Sequence, residues 1–286
     1  MNKLELYHKS HSSVKKDAGQ LLRKFASKLQ WRPDGGDSVL EIGCGPGDVS
    51  MDYVYPLMPE NIEKLIFSDI SSKMLNFFEN NYEIPKKCHL RIINIAKENS
   101  LPPDMLGQFD HVISSLVLHW IPDNRTALEN IFKLLRPEGG DCILTFFGYN
   151  NIFEANHIIS STPKWSPYIK NVNRFVSPLH NCSNPKETFC KMMEDLGFCN
   201  ISIEVKEGIY YYDNFENFKE NIIPVCGIFD FIPKSCHDEF LEDYFTVMAE
   251  TTAKKRGLSL RDSMYAVASD MFVVYAQKRK QDQTTK

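Results

Sequence analysis

The sequence lacks several features that mark whole classes of protein. None of its eight cysteines is paired with another at C-x-x-C spacing, which argues against a structural zinc site. No apolar run approaches the ~20 residues of a membrane-spanning helix. Residues 1–16 are polar, without the apolar core of a signal peptide. We therefore expect a cytoplasmic protein with reduced thiols, no bound metal and no stable membrane insertion.

The chain also has no excess of positive charge. Its formal net charge is −4 at pH 7, whereas nucleic-acid-binding domains are usually basic, so we expect no nucleic-acid partner. Apolar residues make up 43% of the chain and charged residues 24%, as in ordinary globular proteins. A chain of 286 residues can bury a full core without disulfides. The composition does not indicate the oligomeric state.

Short apolar runs alternate with helical periodicity through the first half of the chain. An N-terminal helical pattern covers 13–30, and later ones cover 71–80 and 123–135. Between them lie buried-strand patterns at 38–42, 64–68, 89–95, 109–115 and 141–147. Such alternation predicts an α/β fold, a doubly wound and mostly parallel sheet with helices on both faces. Ligands of these sheets bind beyond the carboxyl ends of the strands.

The second half of the chain has a different character. Residues 149–184 are irregular and contain several aromatic side chains. A helix is predicted over 185–196, a strand over 200–212, helical segments within 213–262 and a final strand over 264–277.

A glycine-rich turn follows the first strand, in the stretch Glu41-Ile-Gly43-Cys-Gly45-Pro-Gly47. Glycines let a ligand approach main-chain atoms closely, although a plain strand-to-helix turn could use them too. Asp69 closes the second strand, where a carboxylate can accept hydrogen bonds from both hydroxyls of a ribose. Asp48 stands where dinucleotide sites prefer Gly or Ala, and its charge would repel a pyrophosphate. The turn therefore favours a ribose-containing ligand without phosphate.

Three segments together resemble class I S-adenosylmethionine-dependent methyltransferases. Val39–Gly47 looks like their first motif, Asp69–Met74 like their acidic loop, and Leu134–Gly140 like their late L-x-P-G-G turn. The resemblance covers 38–147. It implies a seven-stranded Rossmann-like sheet with helical lid insertions, S-adenosylmethionine as cofactor and S-adenosylhomocysteine as product.

A narrower resemblance extends over most of the chain. Leu6–Ser10, Phe109–Val112 with Leu118–Ile121, and Arg174–Pro178 resemble insect juvenile hormone acid methyltransferases. Those enzymes methylate the carboxylate of farnesoic acid or juvenile hormone acid, so the resemblance implies an O-methyltransferase for a small apolar carboxylic acid, in this family or as its paralogue. It also implies a single domain over 1–286. Its predicted parts are an N-terminal helix over the active site (1–37), a cofactor-binding core (38–148), a substrate lid with the final strands (149–278) and a frayed tail (279–286).

The resemblance also implies roles for individual residues. The residues that it assigns to the cofactor are Glu41, Gly43, Cys44, Gly45, Asp69, Ile70, Asn94, Ile95 and Ser114. The catalytic candidates are Ser115, His119 and Trp120, with the indole N–H of Trp120 directed at the substrate carboxylate. The substrate-binding candidates are Val14, Trp120, Trp165 and Phe175.

Two of these positions depart from the family pattern. Asn94 stands where the family has Asp, which weakens the expected hydrogen bond to adenine because the charge is missing. Val14 stands where family members carry a Gln that hydrogen-bonds the substrate carboxylate. These departures leave alternatives open: a methyltransferase for another lipid acid or a small hydroxyl or amine, or a cofactor-binding paralogue with little activity. A nicotinamide oxidoreductase is disfavoured by Glu41 and by the glycine spacing.

Overall fold

A computed structural model describes residues 12–279 of the chain. The motif at Leu6–Ser10 and the tail from 280 onward lie outside the described residues. The strands are β1 (Ser38–Ile42), β2 (Lys64–Asp69), β3 (Cys88–Ile92), β4 (His111–Ser115), β5 (Gly140–Asn150), β6 (Phe198–Tyr211) and β7 (Ala266–Lys278). The α-helices are α1 (Ser12–Ala26), α2 (Ser72–Asn81), α3 (Asn124–Leu134), α4 (Asn151–Ser160), α5 (Pro185–Asp195), α6 (Phe215–Ile222), α7 (His237–Arg256) and α8 (Leu260–Ser263).

Within the described residues, the seven strands form one sheet in the order β3-β2-β1-β4-β5-β7-β6. The first five strands of that order are parallel, and β7 runs antiparallel to both β5 and β6. Strand order reverses between β1 and β4, so the connections from these two strands leave in opposite directions and open a crevice at their carboxyl ends. The predicted fold class, a mostly parallel seven-stranded sheet of the class I methyltransferase type, is confirmed.

Both faces of the central strands are buried, which explains why these strands are apolar throughout. Leu40 and Val112 point to one face and belong to one core cluster. Their neighbours Val39 and Ile113 point to the other face and belong to a second cluster. Because side chains alternate across a strand, a central strand with helices on both sides needs apolar residues at consecutive positions.

A third core cluster lies in the second half of the chain and includes Trp165, Phe218, Phe240 and Tyr244. It packs α4, α6 and α7 together and includes Val267 at the start of β7, so it adjoins the carboxyl end of β5, to which β7 runs antiparallel. We call the residues of this cluster, together with the side chains that pack against it, the lid. None of the helices in the described part of the chain is long and apolar enough to cross a membrane.

Several element boundaries differ from the sequence expectation. The segment after the glycine turn contains a π-helix at Ser50–Val54 followed by a 3-10 turn at Tyr55–Leu57. Pro56 has no N–H to donate and so prevents a continued α-helix. β3 ends at Ile92 rather than at residue 95, because its pairing with β2 stops at Asp69, the last residue of β2. Asn94 and Ile95 therefore lie in a loop at the end of the sheet.

Candidate active site

A cavity of about 920 Å³ lies at the carboxyl ends of β1, β2 and β4 and extends under the lid. We call it the large cavity. The loops after these strands and the loop after β3 form one side of it, and lid residues form the other. Among its lining residues are Gly43, Gly45, Asp69, Ile70, Asn94, Ile95, Leu116, Val117, Trp120, Phe175 and Val225.

The three glycines of the turn after β1 all have positive φ, but their surroundings differ. A Cβ atom on Gly43 (φ +74°) would lie 2.2 Å from a methyl of Val117, and one on Gly47 (φ +92°) would lie 2.3 Å from the ring of Phe78. A Cβ on Gly45 (φ +56°) would meet nothing within 4 Å. The outer two glycines therefore permit close packing, whereas Gly45 leaves main-chain atoms open to the cavity.

Asp69 stands at the end of β2 with its carboxylate fixed by main-chain amides. Its Oδ2 accepts from the N–H of Gly45 at 3.0 Å, and its Oδ1 accepts from the N–H of Ser71 at 2.8 Å. Burial raises the pKa of the carboxyl, and these hydrogen bonds oppose part of the shift. Each oxygen keeps a lone pair for a further donor, an arrangement that suits two adjacent hydroxyl groups.

An apolar surface with a polar edge continues from Asp69. Ile70 is 62% exposed and presents its side chain to the cavity. Asn94 lines the same region, and its Oδ1 accepts from the N–H of Ala96 at 3.0 Å, which orients the side chain. Ile95 lies beside it, with its carbonyl held by the amide of Asn130 at 2.9 Å. A flat heteroaromatic ring fits such a surface.

Glu41 lies beneath the glycine turn, 1% exposed, and does not line the large cavity. Burial raises its pKa from 4.5 to about 8; charge repulsion from Asp48 and Asp69 adds to the shift, and a hydrogen bond from Ser50 opposes it. Its Oε2 has no hydrogen-bond partner within residues 12–279. An unpaired buried carboxylate oxygen is complementary to positive charge. These features of Glu41, Gly45 and Asp69 fit a cationic nucleoside such as S-adenosylmethionine.

Three predicted contact residues have structural hydrogen bonds or packing instead. Ser114 Oγ donates to the carbonyl of Ile42 at 3.0 Å, and Ser115 Oγ pairs with Thr145 Oγ1 at 2.9 Å. Both serines tie β4 to a neighbouring strand, and neither lines a cavity. The side chain of Cys44 packs into the core, where burial raises the pKa of its thiol. We correct the expectation that these side chains contact a ligand.

Leu116 and Val117 occupy the place expected for the serines and were missed from the sequence. Leu116 has φ +60°, an uncommon conformation for a bulky residue, and its N–H donates to the carbonyl of Thr145 at 2.7 Å. This turn brings both side chains to the cavity wall. No local pattern of residues marks a leucine with this backbone conformation.

A second, smaller cavity of about 70 Å³ adjoins the large one. We call it the small cavity. Leu116, Trp120 and Val225 line both cavities, so a group bound in one lies next to the other. The other lining residues of the small cavity are Val14, His119, Phe147, Asn150, Ile152, Phe153, Tyr212, Asn221, Ile222 and Val267.

His119 is a neutral donor in the wall of the small cavity. It is 4% exposed, and burial lowers its pKa to about 3, so the ring carries no charge at neutral pH. Its Nδ1 accepts from the N–H of Phe147 at 3.4 Å, which places the single ring proton on Nε2. No side chain or carbonyl in the described part of the chain accepts that N–H.

Trp120 separates the two cavities and is 37% exposed. Its ring packs against His119 with centroids 4.7 Å apart, and edge-on against Phe153 at 5.9 Å. Its indole N–H donates to no group within residues 12–279, so this donor is free for a ligand. Val14 faces the same small cavity from α1 and contributes only methyl groups.

The two lid aromatics that were predicted to bind substrate lie in different surroundings. Phe175 lines the large cavity opposite the glycine turn. Trp165 is 2% exposed and packs edge-on against Phe240, with centroids 5.2 Å apart, while its indole N–H donates to Asp243 at 2.8 Å. Trp165 therefore belongs to the lid core and touches neither cavity, which corrects the sequence expectation.

Comparisons with known proteins agree with this geometry. Residues 40–140 match a family model described as a methyltransferase domain. Juvenile hormone acid O-methyltransferase from Drosophila melanogaster is 34% identical over 278 residues, which cover 97% of this chain and 93% of that protein. The protein of the same name from Bombyx mori is 38% identical over 250 residues, which cover 87% of each.

Solved structures share the fold at low sequence identity. The YcgJ protein from Bacillus subtilis is 13% identical with a TM-score of 0.59, over 92% of this chain and 99% of that one. A phosphoethanolamine N-methyltransferase from Haemonchus contortus, in complex with S-adenosylmethionine, is 16% identical with a TM-score of 0.50, over 93% of this chain and 53% of that one.

Proposed function

Since the chain belongs to the family of juvenile hormone acid O-methyltransferases, we propose that it methylates farnesoic acid or juvenile hormone acid. The chain is an S-adenosylmethionine-dependent carboxyl O-methyltransferase. The identity of the acid is the proposed part. The observation that carries it is Trp120, which lines both cavities and whose indole N–H donates to no group within residues 12–279.

We propose the following roles in cofactor binding. Asp69 accepts hydrogen bonds from the ribose hydroxyls, and the open main chain at Gly45 lies against the ligand. Ile70 and Ile95 pack on the adenine ring, with Asn94 at its polar edge. Glu41, whose pKa burial raises to about 8, ionises beneath the turn when the positive charge of the cofactor is bound nearby. S-adenosylmethionine supplies an electrophilic methyl group when bound, and S-adenosylhomocysteine is the product.

The reaction needs no general base from the protein. Carboxylic acids titrate near pH 4–5, so the attacking oxygen is already ionised at neutral pH. His119, with a pKa of about 3, stays neutral and can only donate from Nε2, which suits an anion acceptor. The protein then acts by holding the carboxylate oxygen about 3 Å from the methyl group, in line with the leaving sulfur. A water-poor cavity keeps that oxygen reactive.

The walls around this junction favour an apolar acid over a polar one. Phe175, Val225 and Ile121 line the large cavity next to Trp120. Of the described residues that line the small cavity, none is charged. The apolar part of such an acid would therefore contact apolar side chains, and its carboxylate would contact neutral hydrogen-bond donors. We also propose a cytoplasmic location, which the eight free thiols support.

The test compares two Trp→Phe variants that each lose one indole N–H. Farnesoic acid, juvenile hormone acid and fatty acids are offered with methyl-labelled S-adenosylmethionine. Trp120→Phe should raise KM for the acid about 10- to 100-fold, because a hydrogen bond to a charged group contributes about 1.5–3 kcal/mol. Trp165→Phe is the matched control: it removes the bond to Asp243, so it should lower the melting temperature and leave KM unchanged.

Each result has a defined meaning for the proposal. Fast ester formation on the sesquiterpenoid acids, impaired only in Trp120→Phe, supports it. A clear preference for saturated fatty acids would replace the proposed substrate within the same chemistry. Binding of S-adenosylmethionine without methylation of any acid would reject these acids as substrates.

A further inference from the structure

Asn150 ends β5 and caps the N-terminus of α4, and its side chain borders the small cavity. Its Oδ1 accepts from the N–H of Ile152 at 2.9 Å. Because an amide oxygen and its NH₂ group point in opposite directions, this hydrogen bond fixes where Nδ2 points. Asn150 is 5% exposed, and the small area that it leaves accessible includes its NH₂ group.

The NH₂ group of Asn150 has no acceptor among the residues that the structure describes. Neighbouring asparagines differ in this respect. Asn151 Nδ2 donates to the carbonyl of Met248 and to Thr252 Oγ1, at 3.1 and 2.6 Å. Asn221, which lines the same cavity, donates to the carbonyl and Oδ1 of Asn217, at 2.8 and 2.9 Å. A buried donor without a partner is unfavourable unless a ligand accepts its hydrogen bond.

Helix capping alone does not explain this residue. Asp and Ser cap helices as well as Asn does, and neither would leave a buried NH₂ group without an acceptor. The additional donor is therefore the property that distinguishes Asn at this position.

The small cavity combines this donor with two others. Its volume of about 70 Å³ accommodates a carboxyl group but not a long apolar chain. His119, Trp120 and Asn150 all line it, and each carries a neutral N–H donor without an acceptor among the described residues, at Nε2, Nε1 and Nδ2. A carboxylate has about four acceptor positions for such donors. Val14, on α1, contributes none.

We propose that Asn150 is a substrate-binding residue whose Nδ2 donates a hydrogen bond to the substrate carboxylate, and that it discriminates acids from their neutral analogues. This inference rests on the proposed methylation of an apolar acid. Asn150, at the end of β5, then supplies a hydrogen bond to the carboxylate that Val14, on α1, cannot supply. The carboxylate then lies in the small cavity, with the apolar body of the acid in the large one.

Two substitutions remove the donor and keep the helix cap. Asn150→Ser is neutral, and Asn150→Asp adds a negative charge facing the carboxylate. Asn214→Ser is the matched control, because Asn214 caps α6 in the same way and lines neither cavity. We expect KM for the acid to rise about 10- to 100-fold in Asn150→Ser and further in Asn150→Asp, with less than about threefold change in the control. The affinity for S-adenosylmethionine should stay within about twofold.

Direct binding separates this inference from the proposed function. Calorimetry in the presence of S-adenosylhomocysteine compares farnesoic acid with farnesol, which has the same apolar chain and no carboxylate. Weaker binding of the acid alone in Asn150→Ser supports the inference, whether or not turnover is fast. Equal weakening of acid and alcohol, or no change in either, would overturn it. Failure of the wild-type enzyme to methylate any acid would instead count against the proposed function.

Discussion

Replacing Glu41 with Gln should stabilise the cofactor-free protein by an amount that grows with pH. Burial beneath the glycine turn is the main reason that the pKa of Glu41 is raised from 4.5 to about 8, with Asp48 and Asp69 adding to it. A carboxyl group with a raised pKa holds its proton more tightly in the folded chain than in the unfolded chain. Its presence therefore lowers stability as pH rises from 4.5 to about 8, and the loss is constant above that.

The size of the effect follows from the width of that pH window. Each pKa unit corresponds to about 1.4 kcal/mol, so the full shift of Glu41 corresponds to about 5 kcal/mol above pH 8. At pH 6 only the lower part of the range between the two pKa values has been passed, so the loss in the free energy of unfolding is about 2 kcal/mol. Gln has nearly the same shape and no charge, and it can keep a hydrogen bond with Ser50. At roughly 3 °C per kcal/mol, Glu41→Gln should raise the melting temperature by about 15 °C at pH 8.5 and about 6 °C at pH 6.

Differential scanning calorimetry of the two proteins at pH 5, 6.5 and 8.5 tests this reasoning. Glu79→Gln, an identical change at an exposed position of α2, is the control and should show no comparable trend. A stability difference for Glu41→Gln that is constant with pH, or that grows towards acid, would refute the assignment of a raised pKa. The variant should also bind S-adenosylmethionine more weakly, most clearly above pH 8, because Gln cannot supply the negative charge that ionised Glu41 offers to a cation.

Two further variants probe the cofactor site. Asp69→Asn removes the charge but keeps a side-chain oxygen, so we expect about 10- to 100-fold weaker binding of S-adenosylmethionine by calorimetry, and unchanged affinity would contradict the ribose assignment. Gly47→Ala forces a Cβ against Phe78 at positive φ and should lower the free energy of unfolding by more than 2 kcal/mol, whereas Gly45→Ala, in open space, should lower it by about 1–2 kcal/mol. Equal losses in urea unfolding would contradict this distinction.

The features predicted correctly from the sequence are those that depend on residues close together in the chain. The apolar run at 38–42 and the glycines after it predicted a strand and a turn, and Gly43 and Gly45 lie at the cavity as expected. Asp69 could be placed because the carboxyl ends of parallel strands meet at one edge of the sheet. Periodicity and strand order thus predict the fold, while the roles of Gly43, Gly45 and Asp69 in cofactor binding stay predictions.

The errors concern residues whose neighbours are distant in sequence. Ser115 ends β4, as expected, but its hydroxyl pairs with Thr145 on β5, a partner that no local pattern reveals. Trp165 was predicted to bind the substrate, but in the structure it packs against Phe240 and donates to Asp243 in the lid core. Asn150 was missed for the same reason, since its free NH₂ group is evident only when all possible acceptors are in place.

A carboxylate nucleophile makes two opposing demands on its site. A contacting Lys or Arg would hold it firmly but would also stabilise its negative charge and so lower its tendency to attack. Of the described residues around the small cavity, none is cationic, and the available donors at His119, Trp120 and Asn150 are neutral. Such a site binds the charged group only modestly, so most of the affinity must come from burying the apolar body of the acid, at about 25 cal/mol per Å². On the proposed function, we therefore expect the same geometry that keeps the oxygen reactive to favour long apolar acids over short polar ones.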